Sequence, residues 1–262
     1  MELRMDGISV SLSGRDLVRD LSLNVGSGQV VGLIGPNGSG KTTALRCAYR
    51  ALRPTAGTVW LGGEDLAALS LRHSAQSVAV LTQEDGTDLD FTVEEIVALG
   101  RTPHLRGNQA LSAREREVCR HAMERLEVLH LAGRSVLTLS GGERRRVLAA
   151  RMLAQEARVL ILDEPTNHLD VRHQLDLLSL LRGSGLTVLV TLHDLNLAAA
   201  ACDRLGVLSR GELVASGTPA EVLTPRLIRE VFGVTASVVP HPLTGDPQLL
   251  YSLSGSPSLE NG

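Results

Sequence analysis

Apolar positions follow three rhythms along the chain, and each predicts a different kind of element. Over residues 1–25 they alternate: ISVSL and LVRDLSLNV read as two half-buried strands, with SGRD as the turn between them. VVGLIG (30–35) is a continuous apolar run ending in glycine, the pattern of a strand buried on both faces. From Lys41 to Leu52 the spacing becomes helical and stops at Arg53-Pro54. Short strands are expected at 57–61 and 77–82, and strand patterns return at 158–162 (RVLIL) and 186–192 (LTVLVTL). Helices are expected over 141–156, 170–182 and 194–201, a hairpin over 205–215 and two short helices over 219–232. Residues 252–262 carry few apolar side chains and are expected to be disordered. This alternation of strand and helix argues for a parallel α/β core.

Charge sharpens the middle of that map. Of the twelve residues 84–95, six are acidic (Glu84, Asp85, Asp88, Asp90, Glu94, Glu95) and none is basic. Residues 101–158 then hold 12 Arg against six Glu, mostly in helical patterns with opposite charges three or four apart. We read 84–157 as a helical lobe inserted between strands of the sheet, with its basic excess on a salt-bridged exposed face. The acidic run is either a solvated face or a docking surface. Over the 262 residues the net charge is −3 and the pI about 6.2, which argues against an obligate nucleic-acid binder. Five aromatics (Tyr49, Trp60, Phe91, Phe232, Tyr251) leave the core aliphatic and offer no stacking platform for single strands. No clean apolar stretch is long enough to span a bilayer, and MELRMDG lacks the pattern of a signal peptide. Cys47, Cys119 and Cys202 are widely spaced without a CxxC, as expected of reduced thiols. Of 26 basic residues, 25 are Arg; the one Lys is Lys41.

That lysine sits in Gly35-Pro36-Asn37-Gly38-Ser39-Gly40-Lys41-Thr42, which fits GxxxxGK[ST] after a predicted strand and before a predicted helix. Glycines let the backbone wrap closely, so that N–H groups and a helix N-terminus point at phosphate oxygens. Lys41 supplies a compact charge for the β- and γ-phosphates, Thr42 a hydroxyl for Mg²⁺, and Thr43 continues the first helical turn. A second signal is the run Val159 to Leu162 followed by Asp163 and Glu164, an apolar strand ending in two carboxylates. Asp163 suits Mg²⁺ binding and Glu164 suits polarising a water. A strand ending in acids is common in itself; beside a phosphate loop it gains meaning.

A third signal carries a family resemblance. Leu139-Ser140-Gly141-Gly142-Glu143 resembles the LSGGQ signature of ABC ATPases, with Glu at the fifth position. Gln83 at a strand end, Asn167 to Asp170 after the acidic pair, and His193 after strand 186–192 match that family's Q-loop, D-loop and H-loop in order and spacing. The resemblance implies a P-loop NTPase (RecA-like) core with an N-terminal antiparallel β-subdomain and an inserted α-helical lobe. The single ATPase domain would span 1–240 (core 1–83 and 158–240, lobe 84–157), followed by an extension over 241–262. It implies ATP and Mg²⁺ as ligands, with Gln83 sensing Mg²⁺ and the attacking water, His193 contacting the γ-phosphate and Glu164 as base. Two copies would pair head to tail around ATP. Ser140, Gly141, Gly142 and Glu143 of one copy would close on the other's phosphates, and Asp170 would bridge to the other's P-loop.

The run from Val97 to His104, VALGRTPH, together with 192–199 and 217–225, looks like ATPase subunits that drive import of iron-siderophore, haem and cobalamin complexes. A Gly-Arg-x-Pro-His turn also simply ends a helix. Such a subunit would lie at the cytoplasmic membrane face beside an integral-membrane permease. It would meet a periplasmic or lipid-anchored substrate-binding protein only indirectly, and nucleic acid not at all. The alternatives are an exporter ATPase, a soluble ABC regulator, and a non-catalytic scaffold, which would lack Glu164 or His193. Two departures stand out. Residues 8–18 lack the aromatic that usually stacks on adenine, leaving a Leu such as Leu12 and opening GTP as a substrate; and Arg145 stands where Gln is common.

Overall fold

The computed structural model describes residues 1–82, 90–107 and 109–252. Strands β1 (Leu3–Leu12) and β2 (Arg15–Val25) pair antiparallel, as their alternation requires, and join β4 (Ala56–Leu61) and β5 (Glu64–Asp65) in the order β2-β1-β4-β5. The larger sheet adds β3 (Val30–Ile34), β6 (Val78–Leu81), β7 (Val159–Asp163), β8 (Thr187–Thr191), β9 (Arg204–Ser209) and β10 (Glu212–Gly217), in the order β10-β9-β3-β8-β7-β6. All its pairings are parallel except β9 with β10. β3, β7 and β8 are buried at every position, which is why they read as unbroken apolar runs.

Successive residues of these strands serve two cores. Val30, Ile34, Leu160, Leu162, Val188 and Val190 join the larger core, which the helical lobe shares, whereas Val31, Leu33, Val159, Ile161 and Leu189 face β1, β2 and helix α1 (Lys41–Ala48). α1 stops short of the expected Leu52: Arg50 adopts a left-handed φ of 63°, and the Leu52 N–H returns to the Arg46 carbonyl. Helix α2 (Leu71–Ser77) has no counterpart in the hydropathy pattern. Ser70 caps it, but Leu71 is largely exposed, so no apolar stripe announces it.

The lobe comprises α3 (Val93–Ala98), a 3-10 segment (Leu99–His104), α4 (Ala113–Arg125) and α5 (Gly141–Ala154). Thr92–Glu95, Ser112–Glu115 and Ser140–Glu143 form reciprocal capping boxes at its three helix starts. Of the acidic run, Glu94 and Glu95 lie in the first turn of α3, where the helix dipole favours negative charge. Arg120 pairs with Glu117 and Glu124 on the outer face of α4, the salt-bridged surface expected there. The Gly100–His104 motif clamps the far end of α5. Arg101 Nη1 donates to the Ala154 carbonyl (2.7 Å) and Glu156, and His104 Nε2 meets the Gln155 carbonyl (2.8 Å).

α6 (Val171–Arg182), before β8, and α7 (Leu195–Ala201), after it, flank the sheet, and short helical turns cover 219–222 and 225–232. The boundary expected at 240 falls inside a hairpin of β11 (Ala236–Pro240) and β12 (Pro247–Tyr251). Asn196 of α7 holds β12 through the Leu249 N–H (2.7 Å) and carbonyl (3.2 Å). Prolines at 240, 242 and 247 hid these strands; a two-stranded pair with free edges accommodates them. The disorder expected over 252–262 concerns a stretch of which all but Ser252 lies outside the described residues.

Candidate active site

The loop 35–40 leaves the C-terminal end of β3, and Lys41 opens α1. Two of its three glycines are fixed by space as well as by conformation. A Cβ at Gly35 would lie 2.1 Å from the Leu208 carbonyl oxygen, and one at Gly40 (φ 105°) 2.6 Å from the Leu17 carbonyl oxygen. Lys41 Nζ donates to the Gly35 (2.8 Å) and Pro36 (3.0 Å) carbonyls, folded over its own loop. Burial lowers its pKa from 10.5, opposed by the charges of Glu164 and Asp163. Ser39 Oγ is buried without a hydrogen-bond partner among the described residues, an unsatisfied group within the loop.

β7 and β8 deliver the facing wall. Asp163 and Glu164 are both buried, and Glu164 adopts a left-handed φ of 49°. Asn167 Nδ2 donates to Glu164 Oε2 (2.7 Å), and His193 Nε2 lies 2.5 Å from Oε1. The cleft between wall and loop has a volume of about 430 Å³, lined by Asn37, Gly38, Gly40, Lys41, Thr42, Thr43, Glu164, His193 and Leu17. Leu12, expected to provide apolar contact there, is half-exposed and outside this lining; Leu17 takes that place. Gln83 lies outside the described residues.

Two supporting residues were not legible as site residues. Thr191, fully buried at the end of β8, donates to Asp163 Oδ1 (2.6 Å) and accepts from the Glu164 N–H (2.8 Å). Arg145, notable in the sequence only for standing where Gln is common, is buried behind the acidic pair. A polar residue closing a buried strand was the sole sequence signal for Thr191.

The signature segment sits elsewhere. Ser140 caps α5, its hydroxyl accepting from the Glu143 N–H (3.3 Å) and donating to Glu143 Oε2 (2.8 Å). The Ser140 backbone N–H, donating to Oε2 (2.8 Å), and then the Ser140 hydroxyl hold the Glu143 carboxyl below its usual pKa of 4.5 and make it a cap partner first. The N–H groups of Gly141 and Gly142 belong to the first turn and have no intrahelical acceptor. Gly142 packs against the His168 backbone, and Asp170 caps α6 through the His173 N–H (2.9 Å). Among the described residues, none of 139–143 lines the P-loop cleft.

A glycine-lined phosphate loop on one strand, with paired carboxylates and a histidine on the adjacent strand ends, defines a P-loop nucleoside triphosphatase. The chain belongs to the ABC transporter family, as an ATP-hydrolysing cassette: that family's profile matches residues 18–167. The hemin import ATP-binding protein HmuV of Pseudomonas entomophila (strain L48) is 42% identical over 256 residues, 95% of this chain and 99% of that one. The cobalamin import ATP-binding protein BtuD of Halobacterium salinarum is 41% identical over 94% of this chain and 62% of that one. Among solved structures, a chain of an inward-facing ABC transporter superposes with a TM-score of 0.82 at 24% identity, over 96% and 98% of the two chains. A dimeric bacterial ABC transporter cassette gives 0.73 at 26% identity, over 83% and 98%. None of the described helices is long and apolar enough to cross a membrane.

Proposed function

We propose that this chain is the energy-supplying subunit of an importer for an iron-siderophore, haem or cobalamin-type complex. It works as a pair of copies on a separate integral-membrane permease, peripheral to the membrane at its cytoplasmic face. The cargo is handed to the permease by a substrate-binding protein that this chain does not touch. The likeness to importer ATPases over nearly the full length of both chains supports this reading.

The chemistry follows from the cleft. Lys41 exchanges the Gly35 and Pro36 carbonyls for β- and γ-phosphate oxygens, and Ser39 Oγ with the loop N–H groups completes the cradle. The oxygen donors Thr42 and Asp163, joined by Gln83, fit Mg²⁺, a hard cation that neutralises phosphate charge when bound. Glu164, oriented by Asn167, accepts the proton of the attacking water; His193 turns from Glu164 to the γ-phosphate.

One observation carries the pairing: the α5 N-terminus, an anion site by its orphan N–H groups, is absent from the cleft of its own chain. A second copy brings Ser140, Gly141 and Gly142 to those phosphates, with Asp170 bridging to the facing P-loop. Glu164→Gln, with Mg-ATP, is expected to elute from size exclusion as a dimer. Elution as a monomer at every concentration refutes the pairing.

A further inference from the structure

Arg145 is the third charged side chain in the first two turns of α5, and it points inward, 8% exposed. Its guanidinium donates to the carbonyls of Asp163 (2.9 Å), Glu164 (2.8 Å) and Pro165 (3.3 Å), three consecutive residues. Nη1 donates to the Thr82 carbonyl (2.7 Å), at the end of β6 and immediately before Gln83. A single planar fork therefore ties the signature helix to two strand ends of the catalytic sheet.

The middle of those three residues is the strained one. Glu164 holds a φ of 49°, a region that disfavours a long side chain and persists only where the surroundings over-determine it. Thr191 fixes the Glu164 N–H from one side, and Arg145 fixes the carbonyls before, at and after the bend from the other. Uncharged side chains of similar length could not reach all of these acceptors, because only a guanidinium carries five donors in one plane. An alkyl replacement would also leave these buried carbonyls without that donor.

We propose that Arg145 is a positioning residue for hydrolysis. It holds the Glu164 backbone in its left-handed turn, so that the carboxylate faces the P-loop cleft, and fixes that turn to the helix bearing Ser140. The inference rests on the reading of Glu164 as the base. Because Arg145 lies behind the strand ends and outside the lining of the cleft, its loss should spare nucleotide binding and slow turnover.

The test is a double-mutant cycle on the full chain with Mg-ATP: Arg145→Met, Glu164→Gln and the pair, with Arg145→Lys and Arg145→Gln alongside. ATPase kcat and KM, affinity for a fluorescent ATP analogue, and the thermal midpoint are measured for each. Arg145→Met is expected to lower kcat about tenfold or more with KM and analogue affinity within about twofold. Lys, retaining charge and some donors, should recover part of the rate. In the Glu164→Gln background the same change should cost less than about twofold, because its effect passes through the carboxylate. Multiplicative losses, or a loss carried by KM, would overturn the inference and leave a general structural role. If Arg145→Met does not fold, Arg145→Gln takes its place in the cycle under the same criteria. Wild-type turnover in Glu164→Gln would instead refute the assignment of the base, and the inference with it.

Discussion

Replacing Thr191 by Val removes one oxygen from the interior and little else. Thr191 is fully buried, donates to Asp163 Oδ1 and accepts from the Glu164 N–H. Losing a hydrogen bond to a charged acceptor costs about 1.5–3 kcal/mol, and a buried N–H left without a partner about 1–3 kcal/mol. The added methyl returns about 0.8 kcal/mol. The net loss is about 2–5 kcal/mol, which lowers the thermal midpoint of a domain this size by at least about 4 °C. Thr187 at the other end of β8 is a matched control. It too is buried, donating to the Met1 carbonyl (2.6 Å) and accepting from the Gly28 N–H (3.0 Å), far along the strand from the carboxylates. Thr187→Val should lose comparable stability yet keep its kcat at 25 °C, whereas Thr191→Val should also lose turnover. Thermal unfolding and steady-state ATPase assays on both proteins separate the two effects. A midpoint for Thr191→Val within about 1 °C of wild type, or equal kcat losses in both variants, refutes the reasoning.

Three further outcomes are expected. Lys41→Ala should lose nucleotide binding or turnover, since no other lysine exists to replace it; full ATPase activity would sink the P-loop assignment. With an aliphatic Leu17 lining the cleft, GTP should be hydrolysed within about tenfold of ATP, and a hundredfold preference in kcat/KM would contradict this. The capping-box carboxylates Glu95, Glu115, Glu143 and Glu221 all sit below their usual pKa of 4.5, held there first by backbone hydrogen bonds. Their stabilisation is therefore complete above that value and is lost as pH falls through the lower folded values. The thermal midpoint should fall over that range, and Ser112→Ala should flatten the decline.

What the sequence made legible is what is contiguous in it. The phosphate loop is eight consecutive residues whose chemistry needs no partner from elsewhere, and β3, β7 and β8 announce themselves because burial on both faces forbids polar interruptions. The capping boxes are just as local, spanning four residues each, and were first seen in the structure. Arg145 and Thr191 were opaque for the opposite reason: they act on atoms between 18 and 63 positions away, and nothing local distinguishes a buried arginine from an exposed one. The Gly100–His104 motif was recognised, but its work, holding the carbonyls of α5, lies more than fifty residues downstream. α2 escaped because a helix with a polar face and an exposed leucine has no period to read.

The two fastened ends of α5 give that helix a mechanical character. Its fourteen residues at 1.5 Å each make a strut about 21 Å long, gripped by Arg101 and His104 at one end and braced by Arg145 near the other. At Gly100 the backbone approaches so closely that a single methyl would lie 2.3 Å from the Arg151 carbonyl oxygen, so the joint has no slack. The lobe turn at Leu99–His104 and the strand ends beneath Arg145 are thus held at a fixed separation by one helix, with Ser140 at its braced end.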